Sequence, residues 1–472
     1  MDRGARLTPR SRRAFLGALA TLGAGACAAT RWLPWQGPGA PGAAPPPDDL
    51  LALAARFVEI GERGRRDGSL WGRLGGSPEE SAAAELLTGA LAPYVDGVAA
   101  EGFELTATRP RRWSLVLGGV PLASAMPAPV DARFPEGPVE APIVVVAGEG
   151  DWSRVSGAWA YVAATMKGTP ALNSVRDGKL YDRALEAGAR GFVFSLPMPP
   201  GTWRVVPPVD KAYALGDSRF PDGRRPIPGF CVDAEDGARI AAAAGHVLVG
   251  AVEADERDRF TAANVVARVA GELPATLAVM SHLDGFFSAA NDNASGLATL
   301  VGLARRIHAV RARGARTASF ELVGLAAHHD GGAGMRAFQA RDPARFASLA
   351  GIVLIEHTDG LAGNERAAAG WPADFNDKRQ AFLGNEPWPE IEAALPELVR
   401  ASELMPAAPV TAHACISDLL VVCDRLPTFT LIQAPPYYHT DHDTLDKISR
   451  AGIEHAVDFH LRLLERAGFV VG

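Results

Sequence analysis

Beyond its first thirty residues, the 472-residue chain has no uninterrupted apolar stretch of the roughly 18 residues needed to cross a bilayer. It also has no long basic run that would track a phosphate backbone. Its 47 basic residues stand against 54 acidic ones, a net charge of −7, which argues against nucleic acid as a partner. Cysteine is scarce: Cys27, Cys231, Cys415 and Cys423 are all there is. An oxidising compartment permits a disulfide, and Cys415 with Cys423 is the candidate pair, because a separation of eight residues closes a small loop. Apolar material, by contrast, is ample at 48% of residues. With a length beyond one ordinary core, this predicts a soluble globular chain of two or more domains.

The N-terminus reads as an address. Arg3, Arg6 and Arg10 lead into Ser11-Arg12-Arg13-Ala14-Phe15-Leu16-Gly17, and an Ala/Gly-rich run continues to Ala29. Paired arginines before Phe-Leu and a small-residue run predict a twin-arginine signal over residues 1–29, and with it export to the periplasm. Cys27 follows Ala24-Gly25-Ala26 and is a candidate lipid-attachment site, although the larger aliphatic residue expected three positions earlier is missing. Residues 30–49 form a linker dominated by Pro, Gly and Ala.

Folding is expected to begin near Leu50. Helical spacing of apolar residues (Leu50, Leu53, Phe57, Ile60) predicts helices over 50–66 and 78–93, and a strand follows at 113–117. Over 140–258 the texture changes to short β-runs with a helix near 181–187, ended by Gly188, and another at 235–244. The turn from Ala184 to Gly191 and the Ile227-Pro228 strand resemble the protease-associated domain inserted in many exported peptidases. From Thr261 onward strands (263–269, 275–281, 317–325, 351–355, 428–433) alternate with helices (294–313, 334–341). That alternation predicts an α/β sandwich with polar residues gathered at strand ends, where open α/β sheets bind ligands.

His282-Leu283-Asp284 ends one apolar strand, and Asp292 follows ten residues later in Ala290-Asn291-Asp292-Asn293-Ala294-Ser295-Gly296, at the start of a helix. A strand-end imidazole with a carboxylate two residues away, and a second carboxylate at a helix start, form a metal-site pattern. Near the C-terminus, Tyr437-Tyr438-His439-Thr440-Asp441-His442-Asp443-Thr444 places a further histidine in a loop. With Ser417-Asp418, these segments resemble the co-catalytic zinc peptidase family of bacterial secreted aminopeptidases and glutamate carboxypeptidase-like proteins. The resemblance spans roughly residues 50–470. It implies a three-layer α/β/α, phosphorylase/hydrolase-like metallopeptidase domain over 50–139 and 259–472, with a β-rich protease-associated domain inserted over 140–258. It further implies that His282 binds one metal, His439 the other, that Asp292 bridges them, and that Asp284 orients His282.

The sequence departs from the family inside the site. Where the family has Glu-Glu, base then ligand, this chain has Ala326-Ala327-His328-His329-Asp330. Where it has an aspartate ligand, this chain has Glu356-His357-Thr358-Asp359. By position His328 falls on the base, and His329 and His357 fall on ligands. Two carboxylates replaced by neutral imidazoles leave less charge against two divalent ions. Either hydroxide or a substrate carboxylate then compensates, or only one ion binds well. Imidazole-rich shells suit zinc, and also copper or iron. His328 is the candidate base, with Glu356, Asp330 and Glu321 as substitutes; Tyr437 and Tyr438 are expected as pocket wall, and His413 and His442 at its edge or in solvent. Random drift would more often leave Ala, Ser or Gly than imidazole at three such positions, so the expectation is a retained but altered metal centre. Its leading function is metal-dependent hydrolysis of a peptide or small amide. The competing readings are non-hydrolytic metal chemistry (cyclisation or redox) and a non-catalytic metal- or peptide-binding protein. Nothing in the sequence fixes the oligomeric state.

Overall fold

Local signals set the ends of the helices. In the computed structural model, helix α1 (Leu50–Arg63) begins where Asp49 accepts the Leu51 N–H, and α2 (Pro78–Leu91) where the Ser77 hydroxyl accepts the Glu80 N–H, with Pro78 in the first turn. The structure describes residues 49–65, 69–128, 137–147, 150–164, 179–205, 227–359, 371, 380–401, 415–433 and 435–472. The signal, Cys27, the linker up to residue 48 and His413 lie outside them.

The remaining elements follow in chain order. Strands β1 (Gly97–Leu117), β2 (Val139–Val146) and β3 (Trp159–Ala163) precede α3 (Lys179–Glu186). Then come β4 (Gly191–Ser195), β5 (Gly229–Val232), α4 (Ala234–Ala242) and β6 (Val247–Val269). The C-terminal part contains β7 (Thr276–His282), α5 (Gly296–Ala312), β8 (Ser319–Leu325), α6 (Ala333–Arg341) and β9 (Gly351–Ile355). It closes with β10 (Gln380–Leu383), α7 (Pro389–Ala401), β11 (Thr428–Ile432) and α8 (Arg450–Arg466).

One sheet carries the order β10-β11-β9-β7-β8-β6-β2-β3-β4-β5. Its centre is parallel: β7 pairs with β8 and β9, and β9 with β11. Alternation along each central strand feeds two cores. Leu277 and Val279 face α1, α2, α5 and α8, whereas Ala278 and Met280 face α6. This is the three-layer α/β arrangement expected from sequence.

Strands β1 and β6 are far longer than their sequence signals at 113–117 and 263–269. They form an antiparallel ribbon that pairs from Gly97 with Arg268 to Leu117 with Leu248. The ribbon's exposed face is charged, as in the Arg259–Glu104 pair, so hydrophobic patterning does not reveal it. The proposed domain boundary at 258/259 falls inside β6, and β2 to β5 extend the same sheet as four parallel strands.

Arg73 locks this framework behind the site. Its buried guanidinium donates to the carbonyls of Leu283 (2.9 Å), Phe57 (2.9 Å), Ser288 (3.3 Å) and Ala289 (3.2 Å). Burial lowers it to about 10, so it remains charged at neutral pH. Arg73→Met should strand these carbonyls and cost about 3 kcal/mol or more, measured by urea denaturation; an unchanged midpoint would show that the clamp is not needed.

Candidate metal centre

The ends of β7, β8 and β9 and the C-terminal loop bring the histidines together around Asp292. Its Oδ1 lies 3.1 Å from His282 Nε2 and 2.8 Å from His357 Nε2. Its Oδ2 lies 3.0 Å from His439 Nε2 and 3.5 Å from His329 Nε2. One buried carboxylate thus divides four imidazoles into two pairs, and within the second pair the two Nε2 atoms are 3.0 Å apart.

Three of these rings are turned by what holds their far nitrogen. His282 Nδ1–H donates to the Asp284 carbonyl (2.9 Å), and His357 Nδ1–H to the Gln433 carbonyl (2.9 Å). A carbonyl only accepts, so the proton belongs on Nδ1 and Nε2 faces the cluster. His329 Nδ1 lies 2.8 Å from Asp284 Oδ2. Asp284 therefore holds His282 through its main chain, while its carboxylate, 3.5 Å from His282 Nδ1, serves the neighbouring turn. That carboxylate accepts the N–H groups of His328 (3.0 Å) and His329 (2.9 Å).

The segments around the ligand candidates are tightly specified. Asp443 accepts the N–H groups of Asn291 (2.8 Å) and Asp292 (3.0 Å), and burial pushes its carboxyl up to about 7. Glu80 accepts from Gly76 and from Ala327 at 2.7 Å each, tying the start of α2 to the turn after β8. Asn293 Oδ1 accepts from both Gly296 and His357 at 3.1 Å. A Cβ on Gly296 would meet that oxygen at 2.0 Å, which explains the glycine. Ala327, His357, Ser417 and His439 all adopt positive φ, between 47° and 60°. Such backbone is costly for residues with a Cβ and concentrates at functional sites.

His328 differs from the other four rings. Its Nδ1 is 3.0 Å from Asp418 Oδ2, and its ring stacks on His282 at 4.2 Å. Its side chain is 12% exposed, against 5% or less for His282, His329, His357 and His439. It is the imidazole that an incoming molecule meets. Asp418 sits in the short loop closed by the Cys415–Cys423 disulfide; the sequence reading noted Ser417-Asp418 without giving it a role.

Two of the substitute bases are engaged elsewhere. Asp330 binds Arg109 with both oxygens (2.7 and 2.8 Å), and Glu321 faces Arg268 and Arg345 at 3.6 Å. The third, Glu356, is inside the cluster. Its Oε1 lies 3.4 Å from His282 Nε2 and 3.6 Å from both His357 Nε2 and His328 Nε2. Tyr438 stacks on His439 with ring centroids 3.5 Å apart, whereas Tyr437 is buried in the core that includes Phe192 and Phe194, and His442 abuts Trp371. The 202–205 loop reaches the same place: Val205 donates to the His439 carbonyl (3.0 Å), and Trp203 to Asp441 Oδ1 (3.0 Å).

Burial alone would lower every imidazole here, and in His439 it does, well below the usual range. In His282 the carboxylates of Asp284, Asp292 and Glu356 overcome burial and hold it well above that range. Asp284 and Asp292 likewise lift His329 to about 9. Despite burial, the surrounding histidines keep the Asp292 carboxyl well below its ordinary value. A cation entering this cluster must displace protons, as metals do at imidazole sites.

The donor set fits a divalent metal. His282 Nε2 and Glu356 Oε2 are buried and make no well-aligned hydrogen bond among the described residues. His329 and His439 point Nε2 at each other at 3.0 Å, sharing a single proton that an entering metal ion would replace. Three overlapping groups in the cluster, His282 with Glu356 and His357, His282 with Asp284 and His329, and Asp292 with His329 and His439, each present ligand atoms within 4.8 Å of one another.

Residues 264–342, from the end of β6 through α6, match the model of peptidase family M28. Among solved structures, the chain is similar to BSAP, a zinc aminopeptidase from Bacillus subtilis, at 14% identity over 89% of this chain and 96% of that one (TM-score 0.61). It is similar to the aminopeptidase from Aneurinibacillus sp. strain AM-1, at 18% identity over 88% and 93% (TM-score 0.55). A peptidase M28 precursor from Shewanella amazonensis SB2B gives 19% identity over 88% and 93% (TM-score 0.61). At such identities these structures share the fold, and no curated protein matches the chain. The fold is the one these aminopeptidase structures share, and the site gathers donors able to hold a metal. The likeness to peptidase family M28 is carried by residues 264–342, the segment that holds His282, Asp284, Asp292, His328 and His329.

Proposed function

We propose that this protein is an exported hydrolase of peptide or small amide bonds, aminopeptidase-like, working through a histidine-rich variant of the two-metal centre. One observation carries the reading. Far-side hydrogen bonds aim the Nε2 atoms of His282, His329 and His357 inward, and with His439 they meet around Asp292. In this reading His282 and His357 would hold one ion and His329 and His439 the other, with the Asp292 carboxylate placed to serve both pairs. Bound there, a divalent ion such as zinc would polarise the scissile carbonyl and acidify a water molecule.

The chain's own groups supply the rest. His328, at the exposed edge of the cluster and backed by Asp418, takes the proton of the attacking water at Nε2 and returns it to the leaving amine. Asp284 and Asp443 keep the ligand-bearing turns in register. The inserted region, read as a protease-associated domain, limits substrate size where its 202–205 loop meets the His439 loop. The twin-arginine signal delivers the protein to the periplasm, with Cys27 as a candidate lipid anchor.

The test is a library of peptides with free N-termini, given to the protein after chelator treatment and again after zinc is restored. The expected result is stepwise release of N-terminal residues, lost on chelation and regained with zinc. Cyclised or oxidised products with copper or iron would replace hydrolysis by other metal chemistry, and peptide binding without turnover would make the chain a binding protein.

A further inference from the structure

We propose that Glu356 is itself a metal ligand, so that the two ion positions are unequal: the His282–His357 position has two carboxylates, and the His329–His439 position has only its share of Asp292. The inference rests on the metal-centre reading above and adds to it the residue that restores charge on one side.

Glu356 directly follows β9 and is 1% exposed. Its Oε1 lies within 3.6 Å of three imidazole nitrogens, those of His282, His357 and His328. Two of those rings, His282 and His357, give their other N–H to main-chain carbonyls at 2.9 Å. With Nδ1 so engaged, their Nε2 atoms face the carboxylates of Asp292 and Glu356 with one shared cation position between them, which a proton fills in the metal-free chain and a metal ion would take over. Glu356 Oε2 makes no hydrogen bond among the described residues, so the second oxygen is also available to an ion. A proton acceptor for substrate chemistry needs access to the substrate. Glu356 has almost none, and His328 stands on the exposed side of it.

Charge separates the two positions. Two dications beside Asp292 alone would retain three positive charges from the protein's side, and Glu356 lowers that to two. The reduction falls almost wholly on the His282 side, because no contact joins Glu356 to His329 or His439 among the described residues. Affinity for a dication rises with the negative charge its ligands carry, so that side should fill first.

The experiment is calorimetric titration of the metal-free full chain with zinc alone, in wild type, Glu356→Gln, Glu356→Asp and His439→Ala. Cobalt(II) absorption spectra report the ligand field independently of activity. Wild type should bind in two unequal steps. Glu356→Gln should weaken the tight step by more than the roughly 10–100-fold typical of losing a residue that merely supports a ligand, and should change the cobalt bands of the first equivalent. His439→Ala should lose only the weak step. Glu356→Asp, which keeps the charge on a shorter arm, should lie between wild type and Glu356→Gln and serves if the glutamine variant fails to fold. Two steps unaltered in Glu356→Gln and Glu356→Asp would overturn the role of Glu356 and leave the metal centre standing. No zinc binding by the wild type would overturn both.

Discussion

Asp292→Ala should leave the chain unable to hold either ion and lower kcat/KM for a susceptible peptide by about four orders of magnitude. Among the described residues, Asp292 alone turns carboxylate oxygens toward the Nε2 atoms of both imidazole pairs: Oδ1 serves His282 and His357, and Oδ2 serves His329 and His439. Without it, four buried imidazoles face one another with Glu356 alone to balance a cation on one side. Elemental analysis beside the kinetic assay separates the causes. Loss of metal and activity together matches the bridging role. Full metal content with low activity would mean that Asp292 orients substrate instead.

His328→Ala should lower kcat by about 10²–10⁴-fold, the usual worth of a positioned acid–base group and about 3–5 kcal/mol of barrier, while metal content and KM change little. The expectation follows from placement. His328 is the outermost ring of the cluster and the one whose Nδ1 meets Asp418 at 3.0 Å. Asp418→Asn, which keeps the shape but removes the charge behind the ring, should cost less, about 10–100-fold. A His328→Ala protein that lost an ion would make this residue a ligand, and one with full activity would return the base role to another group.

Much of this was legible in the sequence because the site is built from strand ends. An apolar strand that stops at His282, or one that stops just before Glu356-His357, announces both the element and the polar residue at its tip. The disulfide between Cys415 and Cys423 was likewise readable from their separation. What stayed hidden was partnership across the fold. Nothing in the order of residues says that the carboxylate of Asp284 turns toward His329 while its carbonyl takes His282. Asp418 and His328 are 90 positions apart, and only the meeting of two loops makes them neighbours. The β1–β6 ribbon escaped for another reason. Its charged outer face breaks the apolar alternation by which strands are recognised.

That ribbon also bears on how a substrate gets in. Strands β1 and β6 run from the central sheet into the region that carries β2 to β5, with register shifts between Ala107 and Arg109 and between Pro110 and Arg112, and the 202–205 loop is stitched to the rim of the site at His439 and Asp441. To swing that region aside, both strands would have to bend together and the stitches would have to break. Movement of that region is therefore coupled to the rim of the site.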